Sequence, residues 1–410
     1  MARAPSAVLA ALFLIGGLGV TSGHVVARQD VLGAQGPFIS LVYHGPGVAV
    51  VGTSPVADGS PFGGPPQLYI STDTVHWASV APPASQARTH GPYVWFDQAS
   101  FINALTGWVS TWGPATLGGA IYGTTDGGRT WRWVSAAGHG DHGGDALWLQ
   151  LLTPEVAFTE SVAATAPAMQ LEVTTNGGRS WRSVYRGPPP LRSGSERYRG
   201  PFEMPMEFAD RERGFSALGI PPAEGLNGEG DFFVTDDGGA TWARQSPPLP
   251  GSSHRCPTGA GNWSSVSCSF AAPSFSGPDD GVLAGAIVFG SHAQVAFDLT
   301  SDDGRSWHLT SQRAASVTPG RYPLVSVATT SAWWLLGWGT TDLTTQVSPD
   351  GGATWMLASA STTGGAPLAL NALGPSRALL TMQHESPRGT TTWLMVTANA
   401  GRSWHRLSLR

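Results

Sequence analysis

The octet TTDGGRTW at 124–131 returns as TTNGGRSW (174–181), TDDGGATW (235–242), TSDDGRSW (300–307), SPDGGATW (348–355) and TANAGRSW (397–404). A seventh, shortened copy is STDTVHW at 71–77, with one residue fewer between Asp73 and Trp77. Counted from the Asp or Asn of each copy, the intervals are 53, 50, 61, 65, 48 and 49 residues. A signal that recurs at such a period over most of a chain marks an array of one supersecondary unit.

The flanks identify the unit. Each octet is preceded by a short alternating run, such as QLYIST, AIYGTT or DFFVTD, and followed by another, such as WRWVSA or WMLAS. Period-two alternation on both sides of a glycine-containing turn predicts a β-hairpin. Upstream lie two more strand candidates, FDQASFIN and GWVSTW in the second repeat, PLVSVATT and AWWLLGW in the sixth. Four short strands per repeat is the pattern of a propeller blade. The expected fold is therefore all-β: a single seven-bladed β-propeller of four-stranded antiparallel blades over 38–410. The first blade can begin with ISLVYHG (39–45) and VAVVGTS (48–54), and the last octet is followed by WHRLSLR. Blades then run in step with the chain, and the ring closes by packing blade one on blade seven without strand exchange.

Within each octet the acidic or amide side chain is placed to accept backbone N–H groups of its own turn. These residues are Asp73, Asp126, Asn176, Asp237, Asp302, Asp350 and Asn399. The second glycine permits a positive φ. Trp77, Trp131, Trp181, Trp242, Trp307, Trp355 and Trp404 are expected to bury aromatic surface between neighbouring sheets, at roughly 2–3 kcal/mol each. A metal or catalytic role is disfavoured, because a site need not occur seven times and two copies carry Asn.

These octets resemble the Asp-box, or BNR repeat, S/T-x-D-x-G-x-T/S-W. The motif is similar to that of sialidases, sortilin-type receptors, xyloglucan-cleaving hydrolases and photosystem II assembly-factor-like proteins. The Gly-Trp strand upstream, as in LTGWVSTW (105–112), most resembles the last group. The resemblance spans about residues 38 to 410; it implies the fold strongly and, at most, a chaperone-like docking role. A sialidase would need an arginine triad, a Tyr–Glu nucleophile pair, an acid/base Asp and F/Y-R-I-P in its first blade. Residues 38–82 contain no arginine, and GRYPL (320–324) is only a scrambled echo of that motif. Xyloglucan hydrolases use two tandem propellers, and sortilin-like receptors a ten-blade ring with a cysteine-rich module.

Composition narrows the setting. There are 54 glycines and 32 prolines, which suits loop-rich β structure, and 41% apolar residues, enough for a core. All 23 basic residues are arginine, which excludes Schiff-base lysines, P-loop lysines and Ser-Lys dyads, and fits a GC-rich bacterial coding sequence. A net charge of −5 without a basic stripe argues against nucleic-acid binding. At the amino terminus, Arg3 precedes an apolar run from Ala7 to Val20 and then Val25-Val26-Ala27. This predicts a secretory signal peptide over 1–27, with an uncleaved anchor as the alternative and the sole membrane contact. Cys256 and Cys268 are the only cysteines. In an exported chain they are expected to pair, the alternative being two buried thiols.

In an antiparallel blade the A–B and C–D turns emerge on one face, the B–C and D–A connections on the other. The octets occupy C–D, whereas the segments of varying length are mostly D–A and B–C, so function is expected on the face opposite the octets. There, His139 and His142 in HGDHGGD could ligate a metal, or form a solvated loop. Arg192, Arg197, Tyr198 and Arg199 in LRSGSERYRGPF could clamp a carboxylate, phosphate or sugar acid, or simply be solvated. Glu203 and Glu207, sharing one face of a predicted innermost strand with Asp210 at its exit, could do acid/base work on a glycoside. The reading that follows is an exported, monomeric, non-enzymatic scaffold in the cell envelope or outside it, with no metal and no cofactor. Its partner would be an envelope protein or a glycan; the alternative is a glycan-directed hydrolase or lectin.

Overall fold

The computed structural model describes residues 36–45, 48–56, 67–80, 95–112, 119–137, 145–162, 169–186, 206–218, 231–252, 267–277, 279–319, 321–339, 342–361, 365–386 and 389–407. These form seven antiparallel sheets within 36–80, 95–137, 145–186, 206–245, 267–316, 324–361 and 366–406. Strands pair in chain order within every sheet, so each is a simple meander. First strands of successive blades touch around the axis from blade one through blade four and from blade six through seven back to one. The protein is a seven-bladed β-propeller. Its first and seventh sheets meet through Ala49, Val51 and Tyr69 on one side and Leu379 and Leu394 on the other. Closure thus needs no exchanged strand.

One blade departs from the four-strand expectation. In the fifth, the inner edge is split into Ser267–Phe270 and Ser274–Phe275, both paired to Gly281–Phe289. Pro273 lies in the break, and a proline has no N–H for the ladder.

The core consists of seven apolar clusters, one in each seam between neighbouring blades. Each octet tryptophan enters the cluster its own blade shares with the preceding one. Trp131 joins Tyr43 and Ile70 of blade one, and Trp307 joins Phe215 and Phe232 of blade four. Only these two are fully buried; Trp77, Trp181, Trp242, Trp355 and Trp404 are partly exposed. Several fix the indole by an N–H bond across the seam: Trp181 to Ser135 Oγ (3.2 Å), Trp307 to Gln245 Oε1 (3.2 Å) and Trp355 to Ser311 Oγ (3.1 Å).

The octet is a closed hydrogen-bond circuit. Thr124 Oγ1 donates to Asp126 Oδ1 (2.8 Å) and accepts Gly128 N (2.9 Å). Asp126 in turn accepts Thr130 N at Oδ1 (2.9 Å) and Thr130 Oγ1 at Oδ2 (2.6 Å). The amide copies keep the first carboxylate role and reverse the second, so that Asn176 Nδ2 donates to Ser180 Oγ (2.8 Å) and Asn399 Nδ2 to Ser403 Oγ (2.9 Å). A hydroxyl can donate or accept, which is why Asn and Asp are interchangeable here. In the shortened copy His76 takes the place of the hydroxyl residue, its Nδ1 lying 2.6 Å from Asp73 Oδ2. Each of the six full octets is also tied to the A–B turn of its own blade, as in Gly127 N to Leu105 O (2.9 Å) and Gly351 N to Ser331 O (2.8 Å). Both turns therefore share one face.

The two positions after the Asp or Asn both have positive φ, but they differ in what surrounds them. The first accepts side chains: Asp303 (φ 60) and Ala400 (φ 58) occupy it. The second is glycine in all six full copies and lies against the preceding blade. A Cβ on Gly128 would meet Ile70, on Gly178 Val134, and on Gly352 Ser311 at 2.8 Å as well as the Trp333 ring. The glycine thus provides close approach between blades in addition to backbone freedom.

Two predictions follow from the octet geometry. Gly352→Ala should lower stability by about 2–4 kcal/mol, from overpacking and left-handed strain together. Gly351→Ala, whose nearest contact would be an ordinary 3.5 Å, should cost about 1 kcal/mol. Urea midpoints at unchanged slope would measure the difference. Hydroxyl and backbone N–H bonds from Thr130 hold the Asp126 carboxyl down at about 2, and the same bonds from Ser306 hold Asp302 at about 2, against an ordinary 3.8. Depressed carboxyls stabilise the fold above the unfolded value and lose that contribution as pH falls through the folded one. Melting temperature should therefore drop between about pH 4 and pH 2, and Asp126→Asn should flatten part of that drop.

Candidate functional site

Around the axis, the innermost strands of neighbouring blades form no ladder with one another among the described residues. Side chains join them instead. Tyr43 Oη accepts Phe101 N (2.8 Å) and donates to Phe101 O (3.0 Å), linking blade one to two. Ser100 Oγ accepts Leu151 N (2.8 Å), linking two to three. Gln150 spans three and four: its Oε1 accepts Phe208 N (2.7 Å) and its Nε2 donates to Phe208 O (2.9 Å). Ser326 Oγ accepts Ala372 N (2.9 Å), linking six to seven. Each such bond satisfies a buried backbone group that no strand reaches.

Glu207 sits in this girdle, on the strand Met206–Phe208, at the place that Gln150 holds on Asp145–Leu151. It is partly exposed, and its Oε1 accepts Gln150 Nε2 (2.8 Å). Burial holds the Tyr43 phenol well above its ordinary value, and the Glu207 charge adds to that shift. The Glu207 field thus reaches the innermost strand of blade one. This is the inward-facing carboxylate among the predicted site residues.

The companion carboxylate is placed elsewhere. Asp210 lies in the A–B turn, where its Oδ1 accepts Glu212 N (2.7 Å) and Arg213 N (2.7 Å) as a turn-capping group. Arg213 then crosses to the next octet, donating from Nε to Asp303 O (2.6 Å), and also pairs with Asp236. Arg377 makes the equivalent reach at ring closure, from Nη1 to Asp73 O (2.8 Å). These two arginines latch blade four to five and blade seven to one.

The octet Asp, Asn and Trp residues all occupy the turn positions described above. Cys268 is fully buried on the inner edge of the fifth blade, and Cys256 lies outside the described residues. His139, His142, Arg192, Arg197, Tyr198, Arg199 and Glu203 also lie outside them. The strand ends that their segments join are on the face opposite the octets. Among the described residues there is no group of three His, Cys, Asp or Glu side chains able to hold a metal ion.

Sequence reasoning missed the girdle. Its signal is one polar residue near the end of an inner strand, Ser100, Gln150, Glu207 or Ser326, inside an otherwise apolar run. Only a blade-by-blade alignment of the first strands would have exposed it.

No protein-family model and no curated protein matches the sequence. Solved structures similar to the chain include YCF48 from Cyanidioschyzon merolae, at 15% identity and a TM-score of 0.48, covering 90% of this chain and 95% of that one. YCF48 bound to a D1 peptide is 16% identical with a TM-score of 0.42, covering 76% and 80%. An ulvan lyase of polysaccharide lyase family PL25 is 9% identical with a TM-score of 0.41, covering 84% and 95%. Likenesses this distant say nothing about chemistry.

Replacing Gln150 by Leu would strip partners from two buried backbone groups of Phe208. It should cost about 2–4 kcal/mol and raise amide exchange at 206–208. Glu207→Gln keeps an acceptor for Gln150 and should change stability by less than about 1 kcal/mol in the same denaturation assay.

Proposed function

We propose that this protein is an exported, non-enzymatic β-propeller that serves as a binding or assembly scaffold in the bacterial cell envelope or outside the cell. The observation that carries this reading is that the octet carboxylates, the turn cap, the latch arginines and Glu207 are engaged in holding the ring together. Octet carboxylates bond their own turns, Asp210 caps a turn, Arg213 and Arg377 latch blades, and Glu207 is bonded by Gln150. We read the octets as Asp-boxes and pair Cys256 with Cys268, a crosslink suited to an exported chain. Recognition then falls to the segments opposite the octets, with Arg192, Arg197, Tyr198 and Arg199 offering guanidinium and aromatic surface to an envelope protein or an acidic glycan.

One observation favours the second reading, a glycan-directed hydrolase or lectin: Glu207 is a partly exposed carboxylate on an innermost strand. The two readings separate on turnover. The exported protein should release no reducing ends from acidic or neutral glycans, and changing Arg192, Arg197 and Arg199 to Ala should weaken ligand capture on a glycan array at least tenfold. Glycan cleavage that Glu207→Gln abolishes would overturn the scaffold reading.

A further inference from the structure

Among the described residues, the seam between blades four and five carries two almost fully buried carboxyl groups, Asp298 and Asp303, with oxygens that no donor meets. Asp298 lies on the strand His292–Thr300, opposite Leu283, which belongs to the cluster of Phe215, Phe232 and Trp307 that fills this seam. Its neighbour Phe297 packs into the next seam, so alternation along the strand turns Asp298 toward blade four. Asp298 has no exposed surface, and neither carboxyl oxygen has a hydrogen-bond partner. Five residues on, Asp303 is 6% exposed, with Oδ1 likewise unpartnered. Arg213, itself 5% exposed, crosses from blade four to the Asp303 carbonyl, and its Nε lies 3.7 Å from Asp303 Oδ2.

A carboxylate buried without donors is far costlier than the neutral acid. We propose that this seam is a proton-operated joint: closed while Asp298 and Asp303 hold their protons, and loosened between blades four and five when they release them. The groups that act on Asp303 are Arg213 and Asp210 from blade four and Arg305 and Asp279 from blade five; Asp236 is bound to the same arginine. No charged group contributes at Asp298, where burial alone pushes the carboxyl up to about 8. Burial, opposed by Arg213, pushes Asp303 up to about 6.

The sign is set by those shifts. The closed seam keeps its protons after the opened one has lost them near the ordinary 3.8, so closure weakens as pH rises. From about pH 6 to about pH 8 only Asp298 still differs, and opening should increase by up to about tenfold per pH unit. Other seams, such as that of Leu343 and Leu380 between blades six and seven, should show no such rise.

Hydrogen exchange read by mass spectrometry, corrected for intrinsic rate, tests this on the full chain. Peptides over 281–300 and 214–218 should lose protection between about pH 5 and pH 8, while peptides over 343–347 and 378–382 hold theirs. The double variant Asp298→Asn and Asp303→Gly should flatten the response. Asn cannot ionise, and glycine already fills the Asp303 position in four other octets. An equal pH trend in every seam, or an unchanged trend in the double variant, would overturn the proposal.

Discussion

The ring depends on how closely each octet can approach the blade before it. A four-stranded blade is a small twisted sheet with two apolar faces, and neither is covered until a neighbour packs against it. The octet meets that need at the solvent edge of the seam. Its second glycine lets the turn lie on Ile70, Val134, Ser311 or Thr345 of the preceding blade, and its tryptophan fills the adjoining space. The Asp or Asn circuit holds the turn in a conformation that makes both contacts possible. Local hairpin closure and contact between blades are therefore one event rather than two. This explains why Asn can replace Asp, and why a residue as different as His76 can stand in for the hydroxyl, while the second glycine is kept in all six full copies.

At the other end of each seam, near the axis, the problem is polar. Innermost strands converge without pairing, and their facing N–H and C=O groups would be left dry. Tyr43, Ser100, Gln150 and Ser326 answer this with side chains that imitate a missing strand, two of them bonding both groups of one residue. Any carboxylate at this level is more valuable as an acceptor for the girdle than as a reagent. Glu207, bonded by Gln150, fits that role.

Most of the fold was legible because octet spacing and strand alternation are local properties that repeat. The seven-blade count, the C–D placement of the octets and the unassisted closure all came from that periodicity. The second role of Gly128 or Gly352 was not legible, since it depends on a residue of another blade about 40 to 60 positions earlier. The split edge of the fifth blade was signalled by Pro273 but masked by a sequence that alternates on both sides of it. For the site, legibility was weaker. Chemical type drew attention to Glu207 and Asp210 together, but a one-turn separation sent one to the girdle and the other to a cap. Ser100, Ser326 and Gln150 drew none, because uncharged residues in apolar strands look like ordinary filler.

The carboxyl groups of this protein act on its stability in opposite senses. Octet carboxyls sit among donors and favour the ionised form, so acid weakens the turns. Burial favours the neutral form of Asp298 and, against the opposing charge of Arg213, of Asp303, so base weakens the seam they share. Octet carboxyls occur in five of the seven blades, whereas Asp298 and Asp303 lie together at the junction of blades four and five. A rise in pH therefore acts on the joint of blades four and five, and a fall acts on the five octets that carry Asp. In a closed ring, loosening one seam leaves the six other blade contacts in place, so the chain can open there and remain folded. A cleft formed between blades four and five would be lined by Phe215, Phe232 and Leu283, apolar surface that the closed ring hides.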